Sequence, residues 1–373
     1  MFKRLIPFIT AALLSTGLFP SAVSTVSAQM ETPLPPKVSA EAAILMDAAS
    51  GRVLFAKRAE QPMRIASITK VMTAILAIEW GDLQSVVRVS SHATGTEGSS
   101  LYLKTGERIT LENLIYGLML RSGNDAAVAI AEHIAGSEED FVSLMNVKAR
   151  DLGMVRTHFA NPHGLDTSPD HFSTARDMAR LTAYALQNPI FQEIVQTKEK
   201  RVPQDGEKWD RIWTNKNKML RLYEGADGVK TGYTRLAKRT LISSATRKGQ
   251  QFIVVTLNAP DDWRDHAALY DFGFEHYPNK DASDAILPID SPYTAGRLPA
   301  GWRFKVLGKV QYPLAAGEER WIGYRWEQYK PWKEVRKHVK RGDPIRVVGY
   351  VVVTFQGKPI GRLPVELTQS DSP

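Results

Sequence analysis

The chain has 373 residues, of which 43% are hydrophobic and 24% charged, with a formal net charge of +8 and no cysteine. The length suffices for two domains with cores of their own, and the balance excludes a disordered or multi-span membrane protein. Without cysteine, stability has to come from core burial, and lipid attachment through a thiol is excluded.

Residues 1–28 read as an export signal. Lys3 and Arg4 form a basic start, Leu5 to Leu18 an apolar stretch, and Val26-Ser27-Ala28 a small-residue cleavage site. A retained membrane span needs about 20 apolar residues, and Thr10, Ser15, Gly17 and Pro20 interrupt this run. Cleavage removes Lys3 and Arg4 and lowers the charge from +8 to +6. A basic exported protein points to an anionic wall or membrane surface rather than to nucleic acid.

ETPLPPK (31–37) is a Pro-rich lead-in. AAILMDAASGRVLFAKRA then reads as strand, Ser50-Gly51 turn, strand. From Ser67 to about Gln187 the period becomes helical: Ile68, Val71, Met72, Ile75 and Leu76 share one face. Further helices are predicted at 111–120, 125–135, 138–152 and 174–187, with Gly136, Gly153 and Asn188-Pro189 as stop signals. Strand character resumes near Gly228, where TLISSATRK and QFIVVTLN flank a Lys248-Gly249-Gln250 turn; an amphipathic stretch at 264–274 closes the unit. Strands at both ends with helices between imply an α+β layout over 38–277: one antiparallel sheet covered by helices, with an inserted helical subdomain. After a loose stretch rich in Pro, Asp and Ser (278–300), the segments WRFKVLGKVQYPL, ERWIGYRW and IRVVGYVVVTFQGKPIGRLPVEL predict a small all-β domain over 283–369.

The sharpest chemical feature is Ser67-Ile68-Thr69-Lys70. At the start of a helix, i and i+3 share a face, so hydroxyl and amine can meet there. The helix N-terminus also offers N–H groups to a developing oxyanion. A lysine activates serine only if its pKa falls. A second cation about 4 Å away costs the ammonium roughly 4 kcal/mol at an effective dielectric of about 20, or about 3 pKa units. Alone the pair is a weak signal, since a capped surface helix also produces it, but no other serine in the chain matches. Ser122-Gly123-Asn124 is the one Ser-x-Asn. It reads either as a polar turn or as a proton-relay serine with a substrate-contacting amide. Lys-Thr-Gly occurs twice, at Lys104-Thr105-Gly106 and Lys230-Thr231-Gly232. The first is followed by Thr110-Leu111-Glu112, a helix N-cap with an acidic first turn. The second enters the sheet's second half, where Gly232 lets a ligand backbone lie against a strand edge. The order nucleophile helix, Ser-x-Asn, Lys-Thr-Gly holds only for Lys230.

With these three motifs in order the chain resembles the penicillin-recognising serine acyl-transferases, in particular low-molecular-weight penicillin-binding proteins of the D-alanyl-D-alanine carboxypeptidase family. The resemblance covers roughly 38–277 and includes ILMDAASGRVLF, SITKVMTAI, LMLRSGNDAAVAIAEHI, FANPHGLD and DGVKTGYT. It implies that Ser67 attacks the terminal D-Ala-D-Ala carbonyl with Lys70 as base. Ser122 would return a proton to the departing D-alanine, and Asn124 would position the peptide. Lys230, Thr231 and, more weakly, Lys216 would meet the terminal carboxylate. Gly232 would line the strand edge, and the Ser67 and Tyr233 N–H groups would form the oxyanion hole. The expected partners are peptidoglycan pentapeptides and, as covalent inhibitors, β-lactams; no metal or organic cofactor is needed.

Within the family, a D,D-endopeptidase or a β-lactam-binding wall protein with little turnover is the alternative. A class A β-lactamase would carry a Glu-x-x-Leu-Asn loop, which does not occur, and no Gly-x-Ser-x-Gly elbow is present. The eight histidines, among them His158, His163 and His171, form no His-Glu-x-x-His set and read as surface or core-edge residues. YKPWKEVRKHVKR (329–341) reads as a solvated basic face whose aromatics fill a small core, or as a docking patch for anionic polymer or lipid. Many members of the resembled family end in an amphipathic anchor. This sequence ends after LPVELTQSDSP, which leaves stable anchoring open.

Overall fold

The computed structural model describes residues 33–284 and 301–369. The export signal at 1–28 and most of the loose stretch at 278–300 lie outside the described residues.

A five-stranded antiparallel sheet runs in the order Val53–Lys57, Ala42–Asp47, Gln250–Leu257, Lys238–Arg247, Ala226–Thr234. The two ends of the unit meet in its centre, where Ala43 pairs with Thr256. Because side chains alternate across a strand, neighbouring residues feed opposite layers. Ile44, Ile242, Ile253 and Val255 face the helical core. Leu45, Leu241 and Val254 pack instead with Leu269, Tyr270 and Phe272 of the helix Asp262–His276. The layout is therefore the expected α+β, with helices on both faces. The hairpin between Lys238–Arg247 and Gln250–Leu257 turns at Lys248 and Gly249, both with positive φ (51° and 77°), as a two-residue turn matching strand twist requires.

Four predicted helices form at Leu111–Leu120, Asn124–Ala135, Glu138–Asp151 and Ala175–Ala185. The helix Ala175–Ala185 ends ahead of Asn188-Pro189, as expected of a stop signal, but the same pair also opens a helix not expected from the sequence. Asn188 Oδ1 accepts from the Ile190 and Phe191 N–H groups and caps a further helix, Pro189–Gln196, with proline at the first position, where its missing donor costs nothing. The first long helix, Lys70–Trp80, is also less one-sided than its period suggests. Val71, Met72, Ala74, Ile75, Leu76 and Ala77 are all buried, because five other helices surround it.

Beyond residue 300 a four-stranded sheet forms in the order Trp302–Val306, Lys358–Gln369, Ile345–Phe355, Ile322–Gln328. The basic stretch forms the helix Trp332–Arg341. Val335 is buried in the small core, whereas Tyr329 is exposed rather than packed there. Arg52, at the turn of the first hairpin, ties this sheet to the larger one. Its guanidinium donates twice to Glu318, at 2.7 and 2.8 Å, and lies 4.4 Å from the Phe355 ring centroid.

Candidate active site

The two Lys-Thr-Gly copies separate in space as in sequence. Gly106 turns with φ 83° into the short strand Arg108–Thr110. Thr110 then caps Leu111–Leu120 by accepting from the Asn113 N–H, with Glu112 in the first turn. Lys104 is exposed and paired with Glu207 at 2.8 Å. Lys230-Thr231-Gly232 lies in Ala226–Thr234, at the open edge of the main sheet.

That edge runs past the nucleophile candidate. Ser67 sits in a single 3-10 turn, Ala66–Thr69, and Lys70 begins the α-helix proper. Thr240, on the strand next to Lys230-Thr231-Gly232, donates its hydroxyl to the Ile65 carbonyl at 3.0 Å. A Cβ at Gly232 would lie 3.0 Å from the Ser67 nitrogen and clash with Thr240 Oγ1. The glycine thus allows the strand edge and the Ser67 N–H to approach one another, a reason for glycine here other than the ligand contact expected from the sequence. Tyr233, the next residue, is exposed.

The Lys70 side chain is fully buried, and its Nζ donates to Ser67 Oγ at 2.9 Å, Asn124 Oδ1 at 2.7 Å and the His163 carbonyl at 2.6 Å. Burial holds its pKa well below the usual lysine value, and the charges of Lys230 and then Lys216 push the same way. The second lysine expected from electrostatics is present, but loss of water is the larger cause. Burial also pushes Lys230 down to about 7, helped by Lys216; its Nζ donates to the Thr231 carbonyl at 2.8 Å. Lys216 is exposed, and its pKa is lowered by partial desolvation and by Arg121. It enters the site on a backbone bond from its own N–H to the Leu120 carbonyl, 3.1 Å.

Ser122 is buried with φ 69°, in the left-handed turn between Leu111–Leu120 and Asn124–Ala135. Asn124 is held at both ends of its amide: Oδ1 accepts from Lys70, and Nδ2 donates to the Glu97 carbonyl at 2.6 Å. Next to it, the buried Asp125 carboxylate accepts from the Leu101 N–H at 2.9 Å and Ser100 Oγ at 2.7 Å, pinning the loop over this turn. The structure therefore joins Ser67 and Asn124 through the Lys70 amine, with Gly232 beside the Ser67 nitrogen.

This constellation lies inside residues 28–261, the span over which the chain matches the D-alanyl-D-alanine carboxypeptidase family. The chain belongs to that family. It is 35% identical over 284 residues to the D-alanyl-D-alanine carboxypeptidase DacF of Bacillus subtilis, 74% of this chain and 72% of that one. It is 33% identical over 368 residues to DacC of Escherichia coli, 91% and 86% of the two chains. Among solved structures, the carboxypeptidase of Mycobacterium tuberculosis superposes with a TM-score of 0.62 at 32% identity, over 66% of this chain and 95% of that one. DacD of Francisella tularensis superposes with a TM-score of 0.67 at 25% identity, over 92% and 96%. This family member is thus a serine-type D-Ala-D-Ala carboxypeptidase, a hydrolase.

Around the carboxypeptidase motifs the structure adds a loop, Asn161 to His171, whose contacts the sequence did not disclose. It receives the Thr73 hydroxyl at the Pro162 carbonyl (2.6 Å) and Lys70 Nζ at the His163 carbonyl. A Cβ on Gly164, where φ is +90°, would collide with the Ala66 carbonyl. FANPHGLD was legible as a family stretch, but nothing in its letters says that it wraps the nucleophile turn.

Proposed function

We propose that the enzyme removes the terminal D-alanine of peptidoglycan stem peptides through an acyl-enzyme on Ser67. The observation that carries the reading is the buried Lys70 amine 2.9 Å from Ser67 Oγ, itself held by Asn124 Oδ1 at 2.7 Å. Loss of water, and then the Lys230 charge, favour the neutral Lys70 amine. In that form two N–H bonds serve Asn124 Oδ1 and the His163 carbonyl, and the lone pair is left to accept the Ser67 proton. In this reading Lys70 takes the Ser67 Oγ proton as Oγ bonds to the penultimate D-alanine carbonyl. The peptide C–N bond then breaks, and the proton returns through Ser122 to the departing D-alanine amine. Water adds to the ester carbonyl, passes a proton to Lys70, and releases the shortened peptide as Ser67 Oγ regains its hydrogen.

The remaining assignments follow from position. The Ser67 and Tyr233 N–H groups serve the oxyanion, supported by the approach of Gly232 to the Ser67 nitrogen. Lys230, Thr231 and Lys216 form the positive end that meets the substrate's terminal carboxylate. A penicillin would acylate Ser67 in the same way, and with no dedicated base for its hydrolysis the adduct would persist. Among the described residues no helix is long and apolar enough to cross a membrane. We read residues 1–28 as the signal that carries the enzyme out of the cytoplasm to its wall substrate.

The test uses a labelled penicillin and a synthetic pentapeptide. We expect one covalent adduct on Ser67, lost in Ser67→Ala, and D-alanine release that fails in the same variant. An adduct elsewhere, or none, would refute the assignment.

A further inference from the structure

Three side chains of the nucleophile segment reach into the Asn161 to His171 loop, and the mechanism above uses only Lys70. The first of the other two is Thr69. It is completely buried, and its hydroxyl donates to the Ala66 carbonyl at 2.8 Å. With its proton committed there, Thr69 Oγ1 accepts from His171 Nε2, also at 2.8 Å. The ring tautomer is set on its other side, because the Ala160 N–H donates to His171 Nδ1 at 3.0 Å. One directed chain therefore runs from the Ala160 N–H through the His171 ring and the Thr69 hydroxyl to the Ala66 carbonyl.

Its end point is an unusual residue. Ala66 has φ +49°, a left-handed conformation that a non-glycine residue keeps only when its surroundings hold it. The Ala66 carbonyl belongs to the same peptide unit as the Ser67 N–H, so whatever orients one orients the other. His171 itself is firmly seated: it is 2% exposed, lies edge-on to Phe159 at 5.9 Å, and is flanked by the backbone pairing of His158 with Phe172. Burial, and then the Arg64 charge, push its pKa down to about 4, so the neutral ring is the form present near neutrality.

We propose that His171 is a positioning residue for acylation: through Thr69 it holds the Ala66–Ser67 peptide, and with it the nucleophile and its N–H, in the reactive orientation. The inference rests on Ser67 being the acylated serine. It assigns His171 to the reaction without contact with substrate, and extends the nucleophile's support to a residue outside the three motifs.

Two near-isosteric variants separate the two ring nitrogens. His171→Asn offers an acceptor near the Nδ1 position and removes the donor to Thr69; His171→Gln restores an N–H near the Nε2 position. Thr69→Val removes the hydroxyl itself. The measurement is the second-order rate constant for acylation of Ser67 by a labelled penicillin, at a temperature where thermal unfolding shows each variant folded. A misplacement of about 1 Å costs on the order of 100-fold, so His171→Asn and Thr69→Val should slow acylation roughly 10- to 100-fold. His171→Gln should stay within about threefold of the parent, and His171→Asn combined with Thr69→Val should be no slower than Thr69→Val alone. The inference fails if His171→Asn acylates like the parent, or if His171→Gln is as slow as His171→Asn, which is what a plain packing role gives. Absence of label on Ser67 in the parent chain would instead remove the underlying assignment.

Discussion

Lys104 holds an exposed ammonium against Glu207, whereas Lys230 is 1% exposed and turns its amine onto the neighbouring Thr231 carbonyl. Replacing Lys104 by alanine removes a surface pair worth little, so penicillin acylation should stay within about twofold of the parent. Lys230→Ala removes a preorganised cation, and losses of about 10²–10³ in acylation rate are expected. A Lys104→Ala variant that failed to acylate would reverse the assignment. The same residues predict a pH profile with an acid and an alkaline limb. In the proposed mechanism Lys70 works without its proton, so activity should fall as acid restores it at its lowered pKa. Lys230 works with its proton, so kcat/KM falls again as pH rises past about 7 in the free enzyme. The profile of D-alanine release from a pentapeptide, with Lys230→Arg moving the alkaline limb upward, checks both signs. Residue identity at these positions was legible because the types and their order are constrained. Their charge state was not, since burial is its main cause and burial is a property of the whole fold.

Among the elements, the helices were readable to within a residue or two wherever caps agreed with periodicity. Ser137 caps Glu138–Asp151, and Gly136, with φ 85°, ends the helix before it. Asn188-Pro189 did mark the end of one helix, but the helix it opens went unread, because a proline that ends one helix and a proline that opens the next look alike without the Asn188 cap in view. The ribbon of Glu199–Pro203 with Asp210–Thr214 also escaped, as short exposed strands carry little pattern. The loop clasp makes a prediction at this scale. Gly164→Ala forces a side chain against the Ala66 carbonyl at φ +90°, so it should cost acylation at least about 100-fold if the clasp gives way around Ser67. Near-normal labelling by a penicillin would mean that the turn tolerates displacement.

For the molecule as a whole, Arg52 and the buried histidines set how stability responds to change. The guanidinium of Arg52 is largely buried between Glu318 and three aromatic rings. Arg52→Ala strands the Glu318 carboxylate and should cost roughly 3 kcal/mol, seen by calorimetry as an earlier transition of the C-terminal sheet. Burial pushes His163 and His266 down to about 3 and His171 to about 4, from an ordinary 6.5. Between those values the unfolded chain binds more protons than the fold. Stability from the neutral rings is therefore complete above about pH 6.5 and drains as pH falls toward 3, at about 1.4 kcal/mol per unit for each histidine. Asp47 and Asp262, raised by burial, act in the opposite sense nearer the carboxylate range. A melting temperature that stays level from pH 7 to pH 5 would contradict this.

By itself the sequence determined the α+β layout, the two ends of the sheet, and Ser67, Lys70, Ser122, Asn124 and Lys230 as candidates, because period, caps and motif order are local properties of the chain. Tertiary structure decided which Lys-Thr-Gly is buried, how far Lys70 is stripped of water, and that His171 reaches the nucleophile turn through Thr69. Those facts depend on packing between segments about 100 residues apart (His171 lies 102 residues beyond Thr69), and no local pattern encodes such a distance.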